Sequence, residues 1–134
     1  MNENQVIVDS SVWIAYFRKQ KQVYSEINRL AETGKIRLLG LILAELYRGC
    51  GSLKEIEVVN DLKDVFPVLE VKREMWEEAG ILSFKLKQKD INISLTNCYI
   101  AAVALESQSM IYSRDGQFKE LARFPELTFY KPRT

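Results

Sequence analysis

A run of β-branched residues, Val6-Ile7-Val8, stops at Asp9-Ser10-Ser11 and gives way at once to the bulky apolar segment Val12-Trp13-Ile14-Ala15-Tyr16-Phe17. A short apolar run followed directly by a helical segment is a strand-to-helix turn, with Asp9, Ser10 or Ser11 as its N-cap. This change of period recurs along the chain and limits the fold more than any other feature. Strands are expected at 5–8, 36–39, 68–71, 110–112 and 127–129. Between them, Val23, Ile27, Leu30 and Ala31 step at helical spacing until Gly34 stops them, and a helix over 41–48 ends at Gly49 and Gly51. Ser52-Leu53-Lys54-Glu55 has the capping-box pattern and opens a helix with Ile56, Val59, Leu62 and Phe66 inward. Met75, Ala79, Leu82 and Leu86 mark a long amphipathic helix, 96–105 is almost wholly apolar, and a short helix surrounds 118–122. Strands separated by helices pair in parallel through right-handed crossovers. The expected fold is therefore a three-layer α/β/α domain, a central, mainly parallel sheet flanked by helices, with residues 1–134 forming a single domain. Ligands in such folds lie beyond the carboxyl ends of the strands, where Asp9 and Asp115 fall.

Histidine is absent from the 134 residues. That excludes a Ser–His or Cys–His nucleophile pair, an imidazole base and any His-containing zinc site. Cys50 and Cys98 form no C-x-x-C pair, are too few for a four-Cys zinc site, and read as reduced core thiols. Lys plus Arg number 19 and Asp plus Glu 18, a net charge of +1, so nucleic-acid binding needs a local patch. Arg18, Lys19 and Lys21, and separately Lys85, Lys87 and Lys89, read first as solvated faces. The start Met1-Asn2-Glu3-Asn4 carries no basic leader, and the most apolar stretch, 38–46, is too short to span a membrane and contains Glu45. A cytoplasmic protein with no membrane segment is expected.

Taken singly, Asp9 reads as a cap, and Asp115 belongs to a common Asp-Gly turn. Glu45 could pair with Arg48 one turn on, yet its helix is apolar nearly all round, and a sheltered carboxylate is costly without a cation. Asn97 opens a segment too apolar for a surface helix and reads as a cap or first-turn residue. Acids placed after two parallel strands and within a neighbouring helix could converge on one pocket. Such charges would repel by roughly a few kcal/mol per pair at an effective dielectric near 20. A hard divalent ion removes that penalty, and oxygen ligands favour Mg²⁺ or Mn²⁺. An aspartate after the first strand also suits a phospho-acceptor receiver domain. That fold needs a second aspartate after the third strand, where this chain reads Val68-Leu69-Glu70-Val71-Lys72.

Four segments, in order, resemble PIN-domain proteins, specifically the small VapC-like ribonuclease toxins of VapBC toxin–antitoxin pairs. They are Val6-Ile7-Val8-Asp9-Ser10-Ser11, Ala44-Glu45-Leu46-Tyr47-Arg48-Gly49, Asn97-Cys98-Tyr99-Ile100-Ala101-Ala102, and Ile111-Tyr112-Ser113-Arg114-Asp115-Gly116-Gln117-Phe118. The resemblance spans essentially the whole chain and implies a metal-dependent endoribonuclease. Asp9, Glu45 and Asp115 would hold Mg²⁺ or Mn²⁺, with Asn97 as a weakened fourth catalytic member. Ser11 and Ser113 would hydrogen-bond the acids from behind. Asn97 departs from the aspartate usual in the family and removes a negative charge from the cluster. The resemblance further implies a single-stranded or structured RNA substrate, a cognate VapB-like antitoxin and a homodimer. Trp13, Tyr16, Phe17 and Tyr47 are candidates for an antitoxin groove and equally for plain core. The charge missing at Asn97 leaves an alternative, a catalytically weak PIN-fold module that binds RNA or protein.

Overall fold

The computed structural model describes residues 5–124 and 126–133. Met1 to Asn4, on which the reading of the N-terminal segment rests, lie outside them. The elements run β1 (Val6–Val8), α1 (Ser10–Phe17), α2 (Lys21–Ala31), β2 (Ile36–Arg37), α3 (Gly40–Arg48), α4 (Leu53–Val65), α5 (Met75–Gln88), α6 (Leu95–Ser107), β3 (Met110–Tyr112), α7 (Gln117–Leu121) and β4 (Thr128–Phe129). The strands form one sheet in the order β2-β1-β3-β4, and every pairing is parallel. Val6, Ile7 and Val8 are all fully buried. Successive strand side chains point to opposite faces, so helices cover both faces of β1, and the three-layer arrangement follows.

The chain leaves β1 for β2 on one side and returns to β3 on the other. Strand order thus reverses at β1, and a crevice opens beyond the carboxyl ends of β1 and β3, the usual ligand position in open α/β sheets. In register, Val8 lies opposite Tyr112, and Asp9 N donates to Tyr112 O at 2.9 Å, so the two acids leave neighbouring strands.

Four expected strands are shorter than the runs that suggested them: β1 begins at Val6 rather than Gln5 and β4 at Thr128 rather than Leu127, and the other two lose more. The 36–39 run pairs as a strand only over Ile36–Arg37, because α3 starts at Gly40. The expected strand over 68–71 is a single bridge between Val68 and Leu38. Pro67 brings only its carbonyl to this edge, accepting Leu38 N at 2.9 Å, and has no N–H to extend the ladder. Asp115 therefore follows the third strand of the sheet. The capping box at α4 is half as expected. Ser52 Oγ accepts Glu55 N at 3.2 Å, but Glu55 Oε1 reaches back to Gly51 N at 2.7 Å, one residue short of the cap.

Helix α6 carries most of the core on one side. Its residues from Asn97 to Ala104 are all buried, and Tyr99 stacks on Trp76 of α5 at 4.0 Å between ring centroids. Burial of each large aliphatic there contributes about 1.5–3 kcal/mol. Cys98 is fully buried as expected, whereas Cys50 is only half-buried. No helix among the described residues is long and apolar enough to cross a membrane.

Candidate active site

Asp9 sits at the N-cap of α1 with extended backbone (φ −71°, ψ 159°), yet its carboxylate caps nothing. Its carbonyl oxygen instead accepts Val12 N and Trp13 N, both at 3.1 Å, which starts the helix and frees the side chain. Ser11 Oγ donates to Asp9 Oδ2 at 3.0 Å and Ser113 Oγ donates to the same oxygen at 2.7 Å. Each hydroxyl has one proton, so both protons go to Asp9. Each hydroxyl oxygen in turn accepts a backbone N–H, Ser11 from Arg114 and Ser113 from Asp115, both at 3.0 Å. Asp9 is only 3% exposed. Among the described residues its Oδ1 takes no hydrogen bond, so one oxygen is fixed by protein and the other remains open to a ligand.

Asp115 is exposed, and its Oδ1 accepts Gln117 N at 2.9 Å at the start of α7. Its Oδ2 accepts Asn97 Nδ2 at 3.1 Å. Asn97 is buried and stands third in α6, where Ser94 is the cap and accepts Asn97 N at 3.2 Å. Its side chain is thus not used as a cap. The second Nδ2 proton goes to Gln117 Oε1 at 2.8 Å. Ser94 N, which can only donate, also meets Gln117 Oε1, at 2.9 Å. Gln117 must therefore turn its oxygen inward, and Asn97 must answer with its NH₂. Asn97 acts here as a double donor that clamps Asp115.

Glu45 projects from α3 and is half-buried. Its Oε1 is sealed from solvent and has no hydrogen-bond partner among the described residues. Burial, followed by the charge of Asp9, pushes its carboxyl above the usual carboxylate range. The Ser10 hydroxyl opposes this, Asp115 adds to it, and Arg48 opposes it. Arg48 makes no ion pair with Glu45 among the described residues, so the simple surface pairing does not form.

The cluster can be tested for its fit to a divalent ion. A sealed carboxylate oxygen without a donor, under the charges of two further acids, is the chemistry of a hard cation site. Among the described residues no group of three or more Cys, Asp or Glu is gathered tightly enough to hold a metal ion as it stands. In kind, the oxygen donors of Asp9, Glu45 and Asp115 fit Mg²⁺ or Mn²⁺.

The family model described as PIN domain matches residues 6–124. The chain belongs to the PIN domain family. This PIN domain is 26% identical over 123 residues to Ribonuclease VapC1 of Methanocaldococcus jannaschii, covering 91% of this chain and 85% of that protein. It is 27% identical over 127 residues to Ribonuclease VapC11 of Mycobacterium tuberculosis, covering 91% and 95% respectively. In fold it resembles a chain in the structure of VapBC2 from Rickettsia felis bound to a DNA fragment from their promoter. The TM-score is 0.76 at 19% identity, covering 93% of this chain and 96% of that one.

A groove of about 470 Å³ runs over this PIN domain from Ile14, Phe17 and Arg18 past Glu45 to Cys50 and Val58. Of the aromatic residues expected there, only Phe17 lines it. Trp13 is fully buried and packs on Phe17 and Phe66, while Tyr16 and Tyr47 pack against the core. The sequence does not single out Gln117 and Ser94 as site residues, and Ser10 reads only as a possible cap. Only the Ser94-x-x-Asn97 spacing, typical of a cap, hinted at where α6 begins.

Proposed function

We propose that this chain, as one unit over residues 1–134, is a Mg²⁺- or Mn²⁺-dependent endoribonuclease, the toxin of a toxin–antitoxin pair acting in the cytoplasm. The observation that carries this is Glu45: a sheltered carboxylate with an unpartnered oxygen, under the charges of Asp9 and Asp115. Such a group costs stability unless a cation joins it. Relatives named ribonuclease VapC support the reaction class.

Asp9, Glu45 and Asp115 would hold the ion, which when bound supplies an activated water and neutralises charge on a phosphate. Ser11 and Ser113 fix Asp9 by Oδ2, so Oδ1 is the oxygen available for coordination. Asn97 contributes no charge and orients Asp115 through Nδ2. The substrate is single-stranded or structured RNA lying across the carboxyl ends of β1 and β3. A VapB-like antitoxin would occupy the groove beside Phe17 and bring a basic side chain to Glu45. The exposed Ile81, Phe84 and Leu105 on the α5–α6 face support a homodimer.

One observation favours a second reading, a PIN-fold module that binds RNA or protein with little catalysis: the fourth polar member is a clamped amide rather than a carboxylate. The two are separated by incubating the purified chain with RNA. Cleavage that needs Mg²⁺ or Mn²⁺, stops with chelator and is lost in Asp9→Asn supports the nuclease. Metal-insensitive binding without cleavage supports the module.

A further inference from the structure

We propose that the groove between the start of α2 and the end of β3 is a subsite for an RNA backbone phosphate neighbouring the one at the acids, held by Lys21, Arg114 and Tyr112. The proposal takes its substrate class from the nuclease reading, but its test does not require cleavage. The groove holds about 440 Å³ and is walled by Gln20 to Val23 on one side and Tyr112 to Arg114 on the other.

The groove is tied directly to the acidic cluster. Ser113 lines it and donates to Asp9 Oδ2 at 2.7 Å, while Arg114 N donates to Ser11 Oγ at 3.0 Å. A strand with one phosphate at the acids therefore brings an adjacent phosphate to this wall.

The polar groups the groove offers are mainly donors, and no carboxylate lines it. Arg114 and Lys21 are exposed and have no carboxylate partner among the described residues. Arg114 Nη1 donates to Gln20 Oε1 at 2.6 Å, which holds the guanidinium over the groove and leaves its other N–H groups free. Gln20 is the N-cap of α2, but its side chain makes no cap hydrogen bond. The N–H groups of Lys21, Gln22 and Val23 accordingly meet no acceptor among the described residues.

Tyr112 supplies an independent observation. It is only 4% exposed and lines the groove, yet its hydroxyl has no hydrogen-bond partner among the described residues. The hydroxyl is not among the unpartnered atoms sealed from solvent, so a ligand in the groove can reach it. Burial, then the charge of Glu26, raise the Tyr112 phenol, and the charge of Arg114 lowers it. Two cations, a helix start and a free hydroxyl match the several oxygens of a phosphate.

The test uses the Asp9→Asn protein, so that the probe stays intact, and a short single-stranded RNA titrated by fluorescence anisotropy over a range of KCl. Adding Lys21→Gln and Arg114→Gln should weaken binding roughly tenfold or more and flatten the log–log salt slope by about 0.7–1.4. Arg114→Lys should keep most of the slope. Tyr112→Phe should weaken RNA binding about threefold at unchanged melting temperature, an effect that a purely structural tyrosine would not show. Unchanged affinity and slope in the folded double variant would overturn the proposal. Competition by an acidic peptide as effective as that by RNA would also overturn it, assigning the groove to a protein. Failure of the nuclease reading looks different: the unsubstituted chain leaves RNA intact with Mg²⁺ while the slope difference persists.

Discussion

Two glutamates, Glu26 on α2 and Glu45 on α3, are both drawn out of water, and the protein treats them in opposite ways. Glu26 is 7% exposed. It accepts Arg29 Nη2 at 2.6 Å and the Tyr130 hydroxyl, which also accepts from Arg29 at 2.6 Å. Burial alone would raise its carboxyl. Hydrogen bonds from Arg29 and Tyr130, with the charges of Arg29 and Arg133, outweigh that and hold it below the usual range. Tyr130 in turn is pushed up to about 12, by burial and then by Glu26. Glu45 has a sealed oxygen without a donor and lies above the usual range. A buried carboxylate balanced by its own chain is a structural tie, here fastening the segment after β4 to α2. One left unbalanced, and further raised by the charges of Asp9 and Asp115, suits a partner that arrives from outside.

The largest expected difference is in activity. Asp9→Asn and Glu45→Gln should each lower RNA cleavage by at least about 100-fold, whereas Glu26→Gln should leave the rate constants near those of the unsubstituted chain at a temperature where it stays folded. Stability should divide the two glutamates with opposite sign. Glu26→Gln removes charge from a paired group and should lower stability by about 1–2 kcal/mol, a figure reduced because Arg29 is 35% exposed. Without added metal, Glu45→Gln should leave the melting temperature unchanged or raise it. Equal losses in the two variants would erase the contrast.

Asn97→Asp should act on both properties at once. A carboxylate there faces Asp115 Oδ2 and Gln117 Oε1, two acceptors now met by Nδ2. Metal-free stability should fall by about 1 kcal/mol, while Mg²⁺ should restore it and cleavage should rise. A variant as stable as the parent in chelator, with no added response to Mg²⁺, would contradict the clamp.

The smallest effect is in acid. Because the Glu26 pKa is depressed on folding, its contribution is present above the ordinary value of 4.5 and is lost as pH falls through the lower folded value. Denaturation followed from pH 6 downward should show a shallower acid loss in Glu26→Gln than in the parent. An identical slope would mean that Glu26 is not the titrating tie.

Much of this was legible in the sequence because it rests on local patterns. Strand–helix alternation placed the seven helices of the described residues and the parallel sheet, and a β-branched run ending at Asp9 put an acid at a strand end. What depends on pairing partners was not legible. The run at 68–71 has strand composition, but Pro67 and the early start of α3 leave it only one bridge. Trp13 reads from its residue type as groove or core, and only packing makes it core. Gln117 acquires its role because folding brings it to Ser94 and Asn97, 23 and 20 residues away, a distance that no spacing rule spans. The same holds for Tyr112, whose unpaired hydroxyl is invisible until α2 is packed beside β3.

Binding of Mn²⁺ or Mg²⁺ to the purified chain, followed by calorimetry with melting temperature read in parallel, bears most directly on the unbalanced acids. The unsubstituted chain and Glu26→Gln should both bind the ion and gain stability from it, about 2.7 kcal/mol at a concentration 100 times Kd, while Glu45→Gln should lose most of both. Absence of binding, or equal binding by Glu45→Gln, would contradict the convergence of Asp9, Glu45 and Asp115 on one cation.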